Sequence, residues 1–243
     1  MHRRISFLPY LLVLPTAFFV ALFTAWPTIL AVYQSFFRQR LNIAKFREPT
    51  FIGLQNYSEL LTSGDFHQVL RNTLVYVVGT VPLSIVLAFL LALLVNRRMR
   101  GIGFLRLAFF HPAVLPMVSA ATIWMFFFTP DYGLFNQALR AVGYSGPENW
   151  TGNPSLALLA VMIVALWKNA GYYMIFYLAG LQNLPGDVFE AAALDGASSW
   201  QQLIHITFPL LRRTTLFIST IATISAFQTV DHIFVLTSGG PSN

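Results

Sequence analysis

The sequence has no cysteine and very little charge. Charged residues make up 10% of the 243 positions, while 56% are hydrophobic, and the mean hydropathy is +0.63. A typical soluble domain carries about 25% charged residues. The missing cysteines exclude disulfides, thiolate nucleophiles and cysteine-ligated metals. The missing charge excludes a sizeable soluble domain and predicts a membrane protein.

Enzyme signatures are also missing from the sequence. It contains no phosphate-binding G-x-x-x-x-G-K-[ST] loop, no H-E-x-x-H pair and no G-x-S-x-G turn. Its histidines show no metal-ligand spacing, so we expect no metal and no cofactor in this chain. Any ATP hydrolysis that drives it must come from another chain. The distant alternative is a membrane-embedded enzyme that uses Asp131 or Asp231.

Long apolar runs account for most of the chain. They predict an all-α polytopic fold in a single transmembrane domain, residues 1–243, with five spans at about 9–37, 72–96, 107–129, 156–181 and 210–231. Pro15 and Pro27 are expected to bend the first span, and Gly79 and Pro82 to break the second in its middle.

Basic residues sit at the ends of these runs and predict the orientation. Arg97, Arg98, Arg100 and Arg106 form a short loop without an acidic residue. Such loops stay in the cytoplasm, which places the amino terminus and residues 185–209 there as well. We therefore expect a multi-pass protein of a bacterial or archaeal cytoplasmic membrane, with its last residue outside. The net charge of +6 suits anionic lipid headgroups and not nucleic acid.

A polar, helix-prone segment separates the fourth and fifth runs. Asp187 and Glu190 have capping-box spacing, and Ser199 and Gln202 have it again. Gly196 lies between them and is suited to the left-handed turn that ends a helix. These signals predict a helix–glycine–helix elbow whose thin alanine face could enter a groove of another protein. The alternative is an ordinary capped connector between two membrane helices.

The order of residues in this elbow resembles the cytoplasmic signature loop of ABC-importer permeases. The similarity covers Glu190-Ala191-Ala192, Asp195-Gly196-Ala197, and Ile206 followed by Phe208-Pro209. It points to the binding-protein-dependent, maltose-transporter-like carbohydrate branch, which includes glycerol-3-phosphate permeases. In that family the elbow is a coupling helix that docks on an ATPase subunit. The resemblance thus assigns ATPase coupling to Glu190, Ala191, Ala192, Asp195, Gly196 and Ala197.

The same resemblance implies partners and a further span. A permease of this branch works with a second permease subunit, two ABC ATPase subunits that use ATP and Mg, an external solute-binding protein and membrane lipids. Members also carry a sixth span, which this sequence lacks. The function implied is the import of a small hydrophilic solute, a sugar or polyol. Glycerol-3-phosphate is the alternative solute.

Two groups of polar and aromatic residues are candidates for the solute pathway. Lys168 is an intramembrane charge, which is a functional hypothesis by default, and Trp167, Asn169 and Tyr172 accompany it. The alternative is that Lys168 extends to the membrane surface or binds a backbone carbonyl without touching solute.

The second group closes the fifth run, where Phe227 and Gln228 are expected to share one helical face with Asp231 and His232. The alternative is that they only end a helix at headgroup level. Trp124, Pro112 and Pro116 are interpreted as packing and kink elements.

Overall fold

A computed structural model describes residues 7–39, 48–97 and 99–240. Arg98, one of the cations used to predict the orientation, lies outside these ranges. The chain divides into two compact units, one up to Leu70 and one from Arg71 onward. This division does not test our expectation of a single transmembrane domain, which stays a prediction.

The first unit is a long apolar helix followed by a small hairpin. Helix α1 (Leu8–Val20), a π-helical turn (Ala21–Ala25) and helix α2 (Trp26–Gln34) follow one another without interruption. The hairpin pairs β1 (Phe37–Arg38) antiparallel with β2 (Thr50–Phe51), and α3 (Gln55–Thr62) follows. The predicted first span of 9–37 therefore ends earlier, at Gln34, because Phe37 is already in a strand.

Helix α4 (Gly64–Val95) begins before the division at Leu70 and continues past it, and the second unit contains all the helices that follow. The helices after α4 are α5 (Ile102–Val114), α6 (Met117–Phe127), α7 (Leu134–Ala141), α8 (Ala157–Gln182), α9 (Gly186–Leu194), α10 (Ser199–Gln202), α11 (Phe208–Leu210), α12 (Arg212–Phe227) and α13 (Asp231–Thr237). A second π-helical turn, Leu203–Thr207, joins α10 to α11. The all-α prediction is confirmed apart from the two short strands.

Helix α4 runs through Gly79 and Pro82 without a break. The predicted interruption is wrong. The helix continues because one hydrogen bond lost at proline costs less than the unpaired backbone groups of two free helix ends in lipid. Gly79 faces the end of the Met162 side chain of α8. A Cβ at this position would lie 2.0 Å from Cε of Met162 in α8.

The predicted third span is sharply bent. Helices α5 and α6 meet at 104°, which is far more than the proline kink expected for residues 107–129. Leu115 is extended (φ −66°, ψ 139°), as the steric restriction before a proline requires. Pro116 then starts α6.

The last span is bent as well, by 47° between α12 and α13. Three described helical stretches are long and apolar enough to cross a membrane, and the count rises to five if each bent pair is one span. Five spans were predicted.

Helix α8 is the central element of the second unit. One apolar cluster packs on its first half and includes Trp124, Phe128, Trp150, Val161 and Val164. A second cluster packs on its last half and includes Ala88, Met174, Tyr177, Leu211 and Ile218. This helix therefore links the bent α5–α6 pair to the elbow that begins four residues after Gln182.

Candidate functional site

The elbow is built from two capped helix ends. Helix α9 ends in a Schellman motif, in which the Gly196 N–H donates to Ala193 O (3.1 Å) and the Ala197 N–H donates to Ala192 O (2.9 Å). Gly196 has φ +78°, so the predicted left-handed turn is confirmed. Pro209 lies in the first turn of α11, as expected.

Both capping boxes predicted in the elbow need correction. Helix α9 starts at Gly186 after Pro185, and no side chain caps it, so Asp187 lies inside the first turn. There its carboxylate suits the positive end of the helix. The second box belongs to Ser198 and Gln201, one residue earlier than predicted. The Gln201 side chain accepts from the Ser198 N–H at 2.7 Å.

The elbow presents its surface to the surroundings of the chain. Of the six predicted coupling residues, Glu190, Ala191, Asp195 and Gly196 are exposed, and Ala192 and Ala197 are half-buried. Two large apolar side chains nearby are also uncovered, Leu194 (89% exposed) and Trp200 (68%). A rigid, doubly capped turn with uncovered apolar side chains suits docking on another protein.

A small polar cavity lies between α4, α8 and α12. Its polar lining comes from Tyr76, Thr80, Ser84, Asn169 and Tyr173, and its apolar lining from Val81, Ala222 and Ala226. The cavity leaves about 10 Å³ for the centre of a water molecule, which corresponds to roughly one water. Hydroxyl and amide groups that converge inside an apolar helix bundle can exchange hydrogen bonds with water or with solute hydroxyls.

Most of this lining escaped sequence analysis. Tyr76, Thr80 and Ser84 are spaced by four on α4 and are all buried, so they form one polar stripe along an otherwise apolar helix. That spacing was the available signal. Tyr76 also shares a buried hydrogen bond with Nε2 of His232 at 3.3 Å.

The predicted pathway residues are not brought together. Asn169 lines the cavity, whereas Trp167 packs edge-on against Trp124 with ring centroids 5.8 Å apart. The Tyr172 ring is tilted against Tyr173 and meets Phe176 edge-on, and the residue is 41% exposed. Their role in a pathway stays a prediction.

The group at the end of the fifth span straddles a bend. Phe227 is the last residue of α12 and is exposed, Gln228 caps it, and Asp231 opens α13. The shared helical face predicted for them does not exist, because the helix stops between Phe227 and Asp231. Only His232 of this group is buried.

Lys168 contacts backbone carbonyl groups, and its role in a solute pathway stays a prediction. Its Nζ donates to the carbonyl oxygens of Pro112 (3.3 Å), Ala113 (3.1 Å) and Leu115. These carbonyls lie at the break between α5 and α6. The contacts match the alternative in which the lysine binds carbonyls.

Hydrogen bonds of two side chains, Asn136 and Arg140, connect the segment between α6 and α8. Asn136 is buried, donates to the carbonyl oxygens of Thr129 and Glu148 (both 3.1 Å), and accepts from Trp150 Nε1 at 2.7 Å. Arg140 Nε donates to the Glu148 carboxylate at 2.6 Å, and this bond lowers the pKa of Glu148 below its usual value. Among the described residues, no cluster of three histidine or acidic side chains could hold a metal.

Several apolar helices long enough to cross a membrane define a multi-pass membrane protein. Residues 74–242 match the model of the family described as "Binding-protein-dependent transport system inner membrane component". The chain belongs to this family.

Curated relatives align over almost the whole chain. It is 35% identical to the trehalose/maltose transport system permease protein MalF of Thermococcus litoralis, over 96% of this chain and 78% of the relative. It is 36% identical to the sn-glycerol-3-phosphate transport system permease protein UgpA of Agrobacterium fabrum, over 97% of this chain and 79% of that protein. A third relative, at 33% identity over 96% of this chain and 75% of that protein, is the sulfoquinovosyl glycerol permease SmoG of the same organism.

Solved structures share the fold. A chain of a bacterial ABC transporter involved in the import of the acidic polysaccharide alginate superposes with a TM-score of 0.76 at 22% identity, covering 95% of this chain and 80% of that one. The same transporter in complex with an alginate pentasaccharide-bound periplasmic protein gives a TM-score of 0.74.

Proposed function

We propose that this chain is one permease subunit of an ATP-driven importer for a small hydrophilic solute, a sugar or a polyol. The observation that carries this proposal is the 35% and 36% identity of almost the whole chain to a trehalose/maltose and a glycerol-3-phosphate permease. The hydroxyl- and amide-lined cavity between apolar spans has room for about one water and supplies polar groups of a suitable kind. Neutral polyhydroxylated solutes exchange hydrogen bonds with such groups. We also propose that the spans act together as one transmembrane permease domain.

The elbow is proposed to dock on a separate ATPase subunit and to couple its ATP hydrolysis to movement of the permease. Its two caps fix its shape, while the side chains of Leu194 and Trp200 lack cover within the described chain. An ATPase groove would bury these side chains and contact the alanine face of α9. In this proposal ATP and Mg are bound by the ATPase subunits, and the residues in contact are Glu190, Ala191, Ala192, Asp195, Gly196 and Ala197.

The proposed orientation places the elbow and the amino terminus in the cytoplasm. Arg97 and Arg100 lie in the connection between α4 and α5, and Arg106 lies near the start of α5. Cationic loops are retained on the cytoplasmic side. Arg106 also donates to the carbonyl oxygen of Val95 at 2.9 Å, which caps the end of α4. The opposite side would meet an external solute-binding protein, and a second permease subunit would complete the pathway.

The geometry favours a neutral solute over a phosphate ester. A phosphate requires cations, and none of the residues that line the cavity is charged. Lys168 directly precedes the cavity residue Asn169 in the sequence. Its ammonium group already donates hydrogen bonds to three backbone carbonyl oxygens. Glycerol-3-phosphate therefore remains the alternative for the test to distinguish.

The test is solute-stimulated ATP hydrolysis. The chain would be purified with the subunits encoded beside it, reconstituted in nanodiscs, and assayed with disaccharides, polyols and sn-glycerol-3-phosphate, each with the accompanying binding protein. We expect a neutral sugar or polyol to raise the ATPase rate. Stimulation by the phosphate ester alone would select the alternative solute. A preparation with no associated ATPase would contradict the importer assignment.

A further inference from the structure

The break between α5 and α6 follows from the covalent structure of proline. In a continuous helix the Pro112 carbonyl would accept a hydrogen bond from the N–H of residue 116. That residue is Pro116, which has no N–H. The Pro112 oxygen therefore needs another donor, and so do the other carbonyls at the end of α5.

Lys168 supplies these donors from α8. An ammonium group has three N–H bonds and no acceptor, and Nζ contacts three carbonyl oxygens, those of Pro112, Ala113 and Leu115. Donors and acceptors match in number. Within residues 7–39, 48–97 and 99–240, no carboxylate forms an ion pair with Lys168, and the hydrogen-bond partners of its ammonium group are these backbone carbonyls.

The register of α8 against α5 is fixed one turn away. The backbone of Gly171 lies against the Phe109 carbonyl so closely that a Cβ would approach its oxygen to 1.9 Å. Residues 168 and 171 are three apart and share one face of α8. Gly171 sets the distance between the two helices, and the lysine reaches the end of α5 from the same face.

We propose that Lys168 is a positioning residue. Its ammonium group binds the three carbonyl oxygens at the break after α5 and in this way holds α6 at its angle to α5. The three oxygens form a binding site for a primary ammonium ion that the chain itself fills. Truncation of the lysine would leave this site open, and a small alkylammonium ion would then occupy it.

Double spin labelling can test this, because the chain has no native cysteine. Phe104→Cys on α5 and Phe126→Cys on α6 replace residues that are 74% and 72% exposed. The labelled protein, in nanodiscs with the subunits that co-purify, reports the distance between the two helices. We expect Lys168→Met and Lys168→Ala to shift and broaden this distance, since both remove the ammonium group.

Chemical rescue separates this role from a general packing defect. Methylammonium should return the Lys168→Ala distance distribution to that of the parent protein, whereas tetramethylammonium, which has no N–H donor, should not. Labels at Leu159 and Ile175 of α8 provide a control whose distance should stay constant in every variant, and methylammonium should leave the parent unchanged.

Each outcome decides the proposal. An unchanged distance in both Lys168 variants would overturn it, as would equal rescue by the two cations or no rescue by either. If Lys168→Ala does not accumulate, its yield in cells grown with methylammonium replaces the distance as the readout. Recovery of folded protein by methylammonium alone supports the proposal, and its absence contradicts it. Solute uptake enters none of these measurements, so they do not depend on the proposed transport function.

Discussion

Gly171 and Phe109 bring helices α8 and α5 into backbone contact. A Cβ at position 171 would lie 1.9 Å from the Phe109 carbonyl oxygen and 3.0 Å from its carbonyl carbon. Membrane helices associate closely where small residues let their backbones approach. Only glycine fits this contact without movement of α5.

Substitution of Gly171 tests this contact directly. We expect Gly171→Ala to lower the free energy of unfolding by about 1–3 kcal/mol, the usual cost of overpacking, as measured by thermal denaturation in detergent. Gly103→Ala is the matched control, since a Cβ there meets nothing within 4 Å. A Gly171→Ala protein as stable as the Gly103→Ala protein would show that α5 moves away freely.

Gly196 connects the two halves of the elbow at φ +78°. Valine at this position is strained, because a β-branched side chain avoids positive φ. We expect Gly196→Val to insert in the membrane but to lose solute uptake, or to lose the co-purifying ATPase. Gly186→Val, in a glycine with ordinary φ and open space around it, is the control. Normal uptake by Gly196→Val would remove the coupling role of the elbow.

Ser198 and Ser199 are adjacent and exposed, but only Ser198 caps α10. Loss of an N-cap side chain costs about 1 kcal/mol. Ser198→Ala should therefore speed amide hydrogen exchange in α10 by roughly five-fold, while Ser199→Ala should leave it near the parent rate. Equal effects of the two substitutions would place the helix start elsewhere.

Asn136 satisfies three polar groups in a buried position. Asn136→Ala leaves the Trp150 indole N–H and two carbonyls without their partner, and each buried unsatisfied group costs about 1–3 kcal/mol. We expect a lower unfolding temperature and altered tryptophan fluorescence. Gln137→Ala removes an exposed amide that donates to Tyr132 O at 2.9 Å, and should change neither. Similar unfolding temperatures for the two variants would contradict the buried network.

Asn169 is the predicted pathway residue that lines the cavity. One lost hydrogen bond to solute costs about 1 kcal/mol, or roughly a five-fold change in affinity. Asn169→Ala should raise the solute concentration that half-activates ATP hydrolysis by that factor. Asn183→Ala, at the exposed end of α8 where its amide donates to Ala179 O, should not. Identical activation curves would exclude Asn169 from the solute pathway.

Sequence analysis predicted the elements whose signal is local. The fourth span was expected at 156–181 and forms α8, Ala157–Gln182, because a mainly apolar run of that length with one charge, Lys168, is typical of a span. Gly196 was identified from its place after a helix-forming run. The second capping box was misplaced because Ser198-x-x-Gln201 and Ser199-x-x-Gln202 satisfy the same pattern, and only the geometry of the turn selects the first. The box of Asp187 and Glu190 does not form, since α9 already starts at Gly186.

Features that depend on long-range contacts could not be predicted. A proline in a membrane helix either kinks it or ends it, so Pro82 and Pro116 look alike in sequence yet behave differently. The neighbouring carbonyls of Lys168 lie more than 50 positions away in the chain. The polar stripe of α4 has a local signal, but its partners on α8 and α12 do not.

The 47° bend between α12 and α13 differs from the proline break in one respect. It spans Gln228, Thr229 and Val230, none of which is proline or glycine, so every peptide unit keeps its N–H and can re-form a helical hydrogen bond. The break at Pro116 lacks a helical hydrogen bond that it cannot form in any conformation, whereas residues 228–230 keep all their N–H donors. His232 lies in the first turn of α13, is buried, and shares a hydrogen bond with the Tyr76 hydroxyl. Helix α13 also packs against α6 and α8, so straightening it onto α12 would require it to leave this packing as well as the Tyr76 hydrogen bond.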